Sequence, residues 1–197
     1  MRTTSEAIKA YAEALPEGAT VSAKELLHLG ERAAIDQALS RLVRRGELMR
    51  VKRGLFALPV MTRFGARAPS VEAIVESIAK ITGERVSLSG ASAANMLGLS
   101  TQNPSRQIYW TSGPSRYLKL GAQNVELKHV PSWQLRAPKS RAGHAFRALA
   151  YFGKSGASEA LGQIKSQLSE DERRELLALR AGAPTWMAKE LSTLAAA

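Results

Sequence analysis

The chain has 197 residues, of which 45% are hydrophobic, and it carries a formal net charge of +11 and no cysteine. This length accommodates one or two domains with a sizeable core, and the positive charge favours a polyanionic partner. The absence of cysteine excludes disulfides and thiol chemistry, and no apolar run reaches the roughly 18 residues that a membrane span needs. The first residues lack the apolar segment of a signal peptide. We therefore expect a cytoplasmic protein.

Helix and turn signals in the first 60 residues predict a winged helix-turn-helix domain. An apolar stripe at helical spacing begins at Ile35, and Gly46 stands where the glycine after a helix end is expected. Ser22 is the predicted N-cap of a shorter helix that carries Leu26 and Leu27. The predicted order is helix, strand, helix, helix, strand and strand, at residues 5–15, 20–21, 22–29, 32–45, 48–51 and 55–58.

Basic residues are concentrated on the last of these helices and on the two strands that follow it. Between Arg41 and Arg53 there are six Arg or Lys residues and one acid, Glu47. A solvated helix face is the ordinary interpretation of a charge run, but a helix followed by a basic hairpin fits a DNA groove and its flanking phosphates. Gln and Arg read base edges, and cations of a wing contact phosphate or the minor groove. The candidate DNA-contacting residues are Arg32, Gln37, Ser40, Arg41, Arg44, Arg45, Arg50, Lys52 and Arg53.

The rest of the chain predicts a linker at 61–69 and a second domain at 70–197. The first part of that domain, 70–140, has the pattern of a small mixed sheet with two helices, and its end, 141–197, is helical. The predicted fold class is therefore α+β: an N-terminal winged helix-turn-helix at 1–60, followed by a mixed α/β domain with a helical C-terminal end. The predicted helices are at 71–82, 91–97, 145–152, 158–168, 170–180 and 185–194, and the predicted strands are at 86–88, 107–111, 117–120 and 125–130.

Motifs for catalysis or metal binding are weak in this second domain. Two polar loops, Gln102–Arg106 and Thr111–Arg116, either bind a partner or turn the chain, and turn chemistry is the favoured interpretation. Ser92 lies in a near match to a nucleophile elbow, but Ala94 replaces its last glycine. The chain has only two aspartates, three histidines and no cysteine, which disfavours metal sites. We expect no catalytic residues, no cofactor and no metal.

Three segments carry a resemblance to a known family. Leu42–Leu48, Leu-Val-Arg-Arg-Gly-Glu-Leu, together with Arg53–Pro59, Arg-Gly-Leu-Phe-Ala-Leu-Pro, resembles the wing of AbiEi-type antitoxins. Leu88–Leu99 is similar to the Ser-Gly, Ala-rich helix and Gly-Leu element of their second domain, and Thr111–Arg116 fits the same pattern. The resemblance covers roughly residues 1–140, and the helical end resembles a related uncharacterised family that carries the same winged domain.

This resemblance implies a bacterial type IV toxin–antitoxin, or abortive-infection, system. In that family the winged domain binds and represses the promoter of its own operon. The C-terminal domain antagonises a separate nucleotidyltransferase toxin without forming a stable complex. The positions here that match the DNA-contacting part of the family are Gln37, Arg41, Arg44, Arg45, Lys52 and Arg53.

We therefore expect a non-catalytic, DNA-binding autorepressor and antitoxin, whose partners are double-stranded promoter DNA and a toxin, with no membrane involved. The alternative is a stand-alone winged-helix transcriptional regulator whose C-terminal domain senses a ligand or a partner. An enzyme that acts on nucleic acid, with the wing as its targeting module, is disfavoured by the scarcity of aspartate and histidine.

Overall fold

The computed structural model of the protein describes residues 3–101 and 106–195. Within these residues the chain forms seven α-helices and nine β-strands, and the predicted α+β class is confirmed. The helices are α1 Thr4–Glu13, α2 Arg32–Arg44, α3 Val71–Thr82, α4 Gly90–Met96, α5 Arg141–Gln167, α6 Glu170–Ala178 and α7 Thr185–Ser192. The strands are β1 Thr20–Ser22, β2 Met49–Lys52, β3 Leu55–Ala57, β4 Val60–Thr62, β5 Gly65–Arg67, β6 Val86–Leu88, β7 Gln107–Thr111, β8 Arg116–Leu120 and β9 Gln123–His129. None of the helices in the described ranges is both long enough and apolar enough to cross a membrane.

Contacts within the chain divide it into two compact units. The first comprises the described residues of 1–84 and 117–125, and the second those of 85–116 and 126–197. This division differs from the predicted domains 1–60 and 70–197, because α3 and β8 belong to the same unit as the N-terminal helices.

The first unit contains the predicted order of α1, β1, α2, β2 and β3, with a 3-10 helix at Leu27–Leu29 in place of the helix predicted before α2. Its sheet has three antiparallel strands in the order β1-β3-β2, with Val21 opposite Phe56. The apolar faces of α1 and α2 pack over the sheet, and Ile8, Ile35 and Leu42 are fully buried. Burial of these side chains supplies the main driving force for folding of this unit.

The prediction of a helix at 22–29 is wrong in the type of helix. Ser22 does act as a cap, since its hydroxyl and the Glu25 carboxylate each accept from the other residue's amide. The following residues nevertheless form turns and a 3-10 helix at Leu27–Leu29, with the Leu29 amide donating to the Leu26 carbonyl at 2.8 Å. Leu26 is buried, whereas Leu27 is half exposed. A segment this short, closed by Gly30, makes too few i to i−4 bonds to stabilise an α-helix.

The prediction of a linker at 61–69 is also wrong, because strands β4 and β5 form an antiparallel hairpin there. The helix that follows, α3, has the predicted bounds and the predicted N-cap, Ser70. It packs against β1: the Thr20 amide donates to the Ser77 hydroxyl at 2.8 Å, and Gly18 lies directly against Ala73. This close approach is the reason that α3 is part of the first unit.

A four-stranded sheet has the order β6-β7-β9-β8. Strands β6 and β7 are antiparallel. The Val130 amide donates to the Thr111 carbonyl at 3.1 Å, which brings the carboxyl ends of β7 and β9 together, as in parallel neighbours. The sheet is therefore mixed, as the sequence predicts.

The helical end of the second unit agrees with the prediction in its main division. The run α5 consists of two helices that meet at Gly153, where the backbone is non-helical with φ 67° and ψ −172°. They correspond to the helices predicted at 145–152 and 158–168, and the first begins four residues earlier, at Arg141. Within α5, the fully buried Arg147 donates to the carbonyls of Arg136 and Pro138 at 3.1 and 2.9 Å. Burial lowers the pKa of Arg147 to about 10, so the side chain stays protonated at neutral pH. These bonds fix the segment that leads into α5.

The contact between Gly18 and α3 yields a stability prediction. Gly18 has φ 78°, and a Cβ there would overlap the Ala73 side chain, whereas Gly46 has φ 71° with open space around it. Gly46→Ala should cost about 1–2 kcal/mol for the left-handed backbone alone. Gly18→Ala should cost about 1–3 kcal/mol more because of the overlap. Urea unfolding of both variants measures this difference, and equal losses would contradict the close packing of α3 on this loop.

Candidate nucleic-acid interface

Helix α2 carries the first part of the candidate interface, and its ends have the predicted form. The helix begins at Arg32 and ends at Arg44, after which Gly46 reverses the chain. The Gly46 amide donates to the Val43 carbonyl and the Glu47 amide to the Leu42 carbonyl, which is the bonding pattern of a Schellman motif. This cap sets the point at which the chain leaves α2 for β2.

The buried stripe of α2 determines which side chains face solvent. Ile35, Ala38, Leu39 and Leu42 are all buried, so the residues between them lie on the opposite side. That side is a shallow concave surface of about 410 Å³. The residues that line it are Asp36, Gln37, Ser40, Arg41 and Arg44.

Ion pairs compensate part of the positive charge around α2. Arg32 binds Asp36 at 2.9 Å. Glu47 binds both Arg45, at 2.7 Å, and Lys9, at 3.1 Å. Each of these pairs is at least partly open to solvent, so each contributes little to stability. Their main effect is to reduce the positive potential at Arg32 and Arg45.

Four other cations are not compensated in this way. In the part of the chain that the structure describes, no carboxylate forms an ion pair with Arg41, Arg44, Lys52 or Arg53. Arg41, Arg44 and Arg53 are exposed, and Lys52 is half-buried. Their charge and donors are therefore available to an external anion.

Strands β2 and β3 form the predicted wing. Arg53 and Gly54 make its turn, and the register shifts by one residue between Arg50 and Lys52. The guanidinium of Arg50 lies over the Phe56 ring, 5.5 Å from its centroid, which is within the range of a cation–π contact. The ring holds the Arg50 side chain along the strand while its charge remains at the surface.

The structure places all nine predicted residues at the surface of the first unit, on α2 or on the segment Arg45–Arg53 that follows it. Seven are exposed, and Ser40 and Lys52 are half-buried. Sequence reasoning missed Glu47 as a shared partner of two cations. Two features of the sequence could have indicated this role: Glu47 follows Gly46 at the helix end, and it is the single acid in the basic run.

The polar loops of the second unit have a different outcome. Residues 102–105 of the loop Gln102–Arg106 lie outside the described residues. In Thr111–Arg116 the side chains fold the turn: the Thr111 hydroxyl accepts from the Gly113 amide, and the Arg116 guanidinium donates to the Pro114 carbonyl, both at 3.0 Å. These bonds agree with turn chemistry as the interpretation of that loop.

The serine and metal-ligand motifs can also be placed. The Ser92 hydroxyl lies 2.9 Å from that of Ser89, which caps α4. No group of three or more His, Cys, Asp or Glu side chains with the spacing of a metal site occurs within residues 3–101 and 106–195.

Comparison with known proteins gives a family and a fold. The model of a family described as a family of unknown function, DUF6088, matches residues 7–176. No curated protein matches the chain. A crystal structure of the RV2827C protein from Mycobacterium tuberculosis is 19% identical, with a TM-score of 0.52 over 98% of this chain and 77% of that chain. At this identity the similarity concerns the fold alone.

The double pairing of Glu47 generates a prediction about anion binding. Glu47→Gln should release Lys9 and Arg45, so that the salt dependence of duplex DNA binding becomes steeper by about one phosphate contact. Binding isotherms over a salt series measure the slope. Glu159→Gln is the matched control, because it makes the same charge change at an exposed position of the second unit. If both variants shift binding equally, net charge and not the local ion pairs governs it.

Proposed function

The chain belongs to the DUF6088 family of unknown function, and we propose that it is a cytoplasmic, non-catalytic transcriptional repressor that binds duplex DNA through its winged helix-turn-helix. The observation that carries this proposal is the uncompensated positive charge on the outer face of α2 and on the adjacent wing. A polyanion is the partner that this arrangement attracts most strongly.

Helix α2 is proposed to be the recognition helix. Gln37, Arg41 and Arg44 are spaced at i, i+4 and i+7, so they share one face of the helix. An α-helix fits into the major groove of DNA. There, Gln binds adenine and Arg binds guanine, each through two hydrogen bonds. Each such pair discriminates against a wrong base by about 1–3 kcal/mol.

The wing is proposed to bind the phosphate backbone beside that groove. Arg53 lies at the turn between β2 and β3, and Lys52 lies at the end of β2. Arg50, which is held over Phe56, adds a third cation along the strand. Contacts of this kind position a protein on the duplex and carry little sequence information.

We further propose that the protein represses its own promoter and neutralises a nucleotidyltransferase toxin. The resemblance to AbiEi-type antitoxins supports both roles. A gene for a nucleotidyltransferase next to this one would support the antitoxin role. Its absence would favour the stand-alone regulator.

One observation in the second unit favours that alternative. A concave region of about 330 Å³ lies between α4 and β7, and a cavity of this size accommodates a small ligand. Its lining residues are Leu88, Ser92, Asn95, Arg106, Gln107, Ile108 and Tyr109. A metabolite that binds there and alters DNA affinity would make the protein a ligand-sensing regulator.

Two pairs of substitutions test the proposed DNA contacts. Gln37→Ala or Arg41→Ala should cost about 1–3 kcal/mol of binding to the upstream region of the gene and less on random DNA, because base contacts are lost. Lys52→Ala with Arg53→Ala should weaken binding to both DNAs about equally, because phosphate contacts are lost. Competition binding of wild type and variants to the two duplexes gives the measurement.

The opposite pattern would contradict these assignments. If the wing variant loses the preference for the upstream region and keeps its overall affinity, the wing reads bases. If the helix variants lose equal affinity on both duplexes, Gln37 and Arg41 contact only the backbone. No binding by the wild-type protein would remove the proposal itself.

A further inference from the structure

The hairpin β4–β5 has a tip of two residues, Arg63 and Phe64, held in a defined geometry. Val60 pairs with Arg67, and Thr62 with Gly65 at the end of the ladder. The Thr62 hydroxyl accepts from the Phe64 amide at 3.2 Å and donates to the Gly65 carbonyl at 2.8 Å. Both tip side chains therefore project from a turn that is closed by hydrogen bonds.

The tip presents a large apolar side chain to solvent. Phe64 is 85% exposed and Met61, on the strand before it, is 75% exposed. The Arg63 guanidinium lies 4.6 Å from the centroid of the Phe64 ring. Single exposed apolar residues are common on protein surfaces. An aromatic ring at the end of a projecting hairpin, stacked with a guanidinium, is a more specific arrangement.

The charge of the hairpin indicates the partner. Residues 60–69 contain two arginines and no acid. Arg67 is 3.7 Å from Glu17, and both side chains are about half exposed, so this pair is weak. In the described residues no ion pair engages Arg63. An aromatic ring flanked by arginine suits a partner that combines anionic groups with flat apolar surfaces, and nucleic acid has both.

We propose that the β4–β5 hairpin is a second DNA-contacting element, which inserts Phe64 between base pairs from the minor groove while Arg63 moves from the face of the ring to the adjacent phosphates. This inference rests on the proposed function, since it adds a contact to the same DNA complex. Two residues, Leu58 and Pro59, separate the hairpin from the last strand of the wing, and both elements belong to the first unit. The hairpin therefore follows the wing directly in sequence, within the same unit.

The side chain at the tip suits a minor-groove wedge. The minor groove is about 6 Å wide, too narrow for a two-stranded ribbon, so the ribbon stays outside the groove and Phe64 at its tip is the part that enters. Side chains such as Phe and Met act as wedges in proteins that unstack and bend the duplex from this groove. The apolar area of Met61 and Phe64 is small for a membrane anchor, which needs an extended apolar face.

DNA bending and base unstacking test the proposal directly. The probes are duplexes of the upstream region with a fluorophore pair at the two ends, and a series with 2-aminopurine at successive steps. Wild-type protein should raise energy transfer between the ends and raise 2-aminopurine fluorescence at one step. Phe64→Ala should abolish both signals and weaken binding roughly fivefold or more, as expected for the loss of one stacked base. Phe64→Trp should retain them.

Tyr117→Ala is the matched control, because this aromatic residue is also exposed, at 67%, and lies in the same unit outside the hairpin. It should behave as wild type. Circular dichroism should show that every variant is folded, as expected for side chains this exposed.

Three results would overturn the proposal. One is bending by Phe64→Ala equal to that of wild type. Another is tight binding by wild type without bending or unstacking, which leaves the proposed function intact. The third is a loss of binding of Phe64→Ala to phosphatidylglycerol vesicles with DNA binding unchanged, which assigns the hairpin to a membrane surface. If wild type binds no DNA at all, the proposed function fails together with this inference.

Discussion

Burial of one apolar stripe of α2 is the constraint on which the candidate interface depends. Ile35 and Leu42 are completely excluded from solvent, and removing either from the core would cost several times the energy of any surface ion pair nearby. The helix can satisfy both burials in only one rotation about its axis. That rotation turns Gln37, Arg41 and Arg44 outward together. Packing in the core thus orients the polar face, and no contact among the polar residues themselves is needed.

Selective charge pairing then defines which part of this surface can bind an anion. Glu47 occupies Arg45 and Lys9 at the end of α2, and Asp36 occupies Arg32 at its beginning. The last turn of the helix, with Arg41 and Arg44, and the turn of the wing keep their positive charge. Uncompensated cations attract a polyanion whatever its sequence. We infer that Asp36 and Glu47 therefore limit both the area and the strength of the positive surface that attracts DNA.

Local signals made much of the first unit predictable from sequence. The bounds of α2 and α3 follow from apolar periodicity and from caps such as Ser70 and Gly46, which act within a few residues. The surface positions of the nine candidate residues were predictable for the same reason, since all of them lie on α2 or on the segment Arg45–Arg53 that follows it; their role in DNA binding stays a prediction. The 3-10 form of residues 27–29 was not predictable, because a short segment with a good cap has the same sequence pattern in an α-helix and in a 3-10 helix. The hairpin at 60–67 was missed because glycine, proline and arginine are as common in linkers as in tight hairpins. Packing of α3 against Gly18 is a tertiary contact, which periodicity cannot reveal.

The salt dependence of DNA binding by the full chain tests the central claim most directly. Binding to the upstream region of its own gene is measured from low to physiological salt, with the logarithm of the association constant plotted against that of the salt concentration. About six phosphate contacts from α2, the wing and their neighbours predict a slope of roughly −5. A flat response, or no binding even at low salt, would contradict the assignment of this surface to DNA.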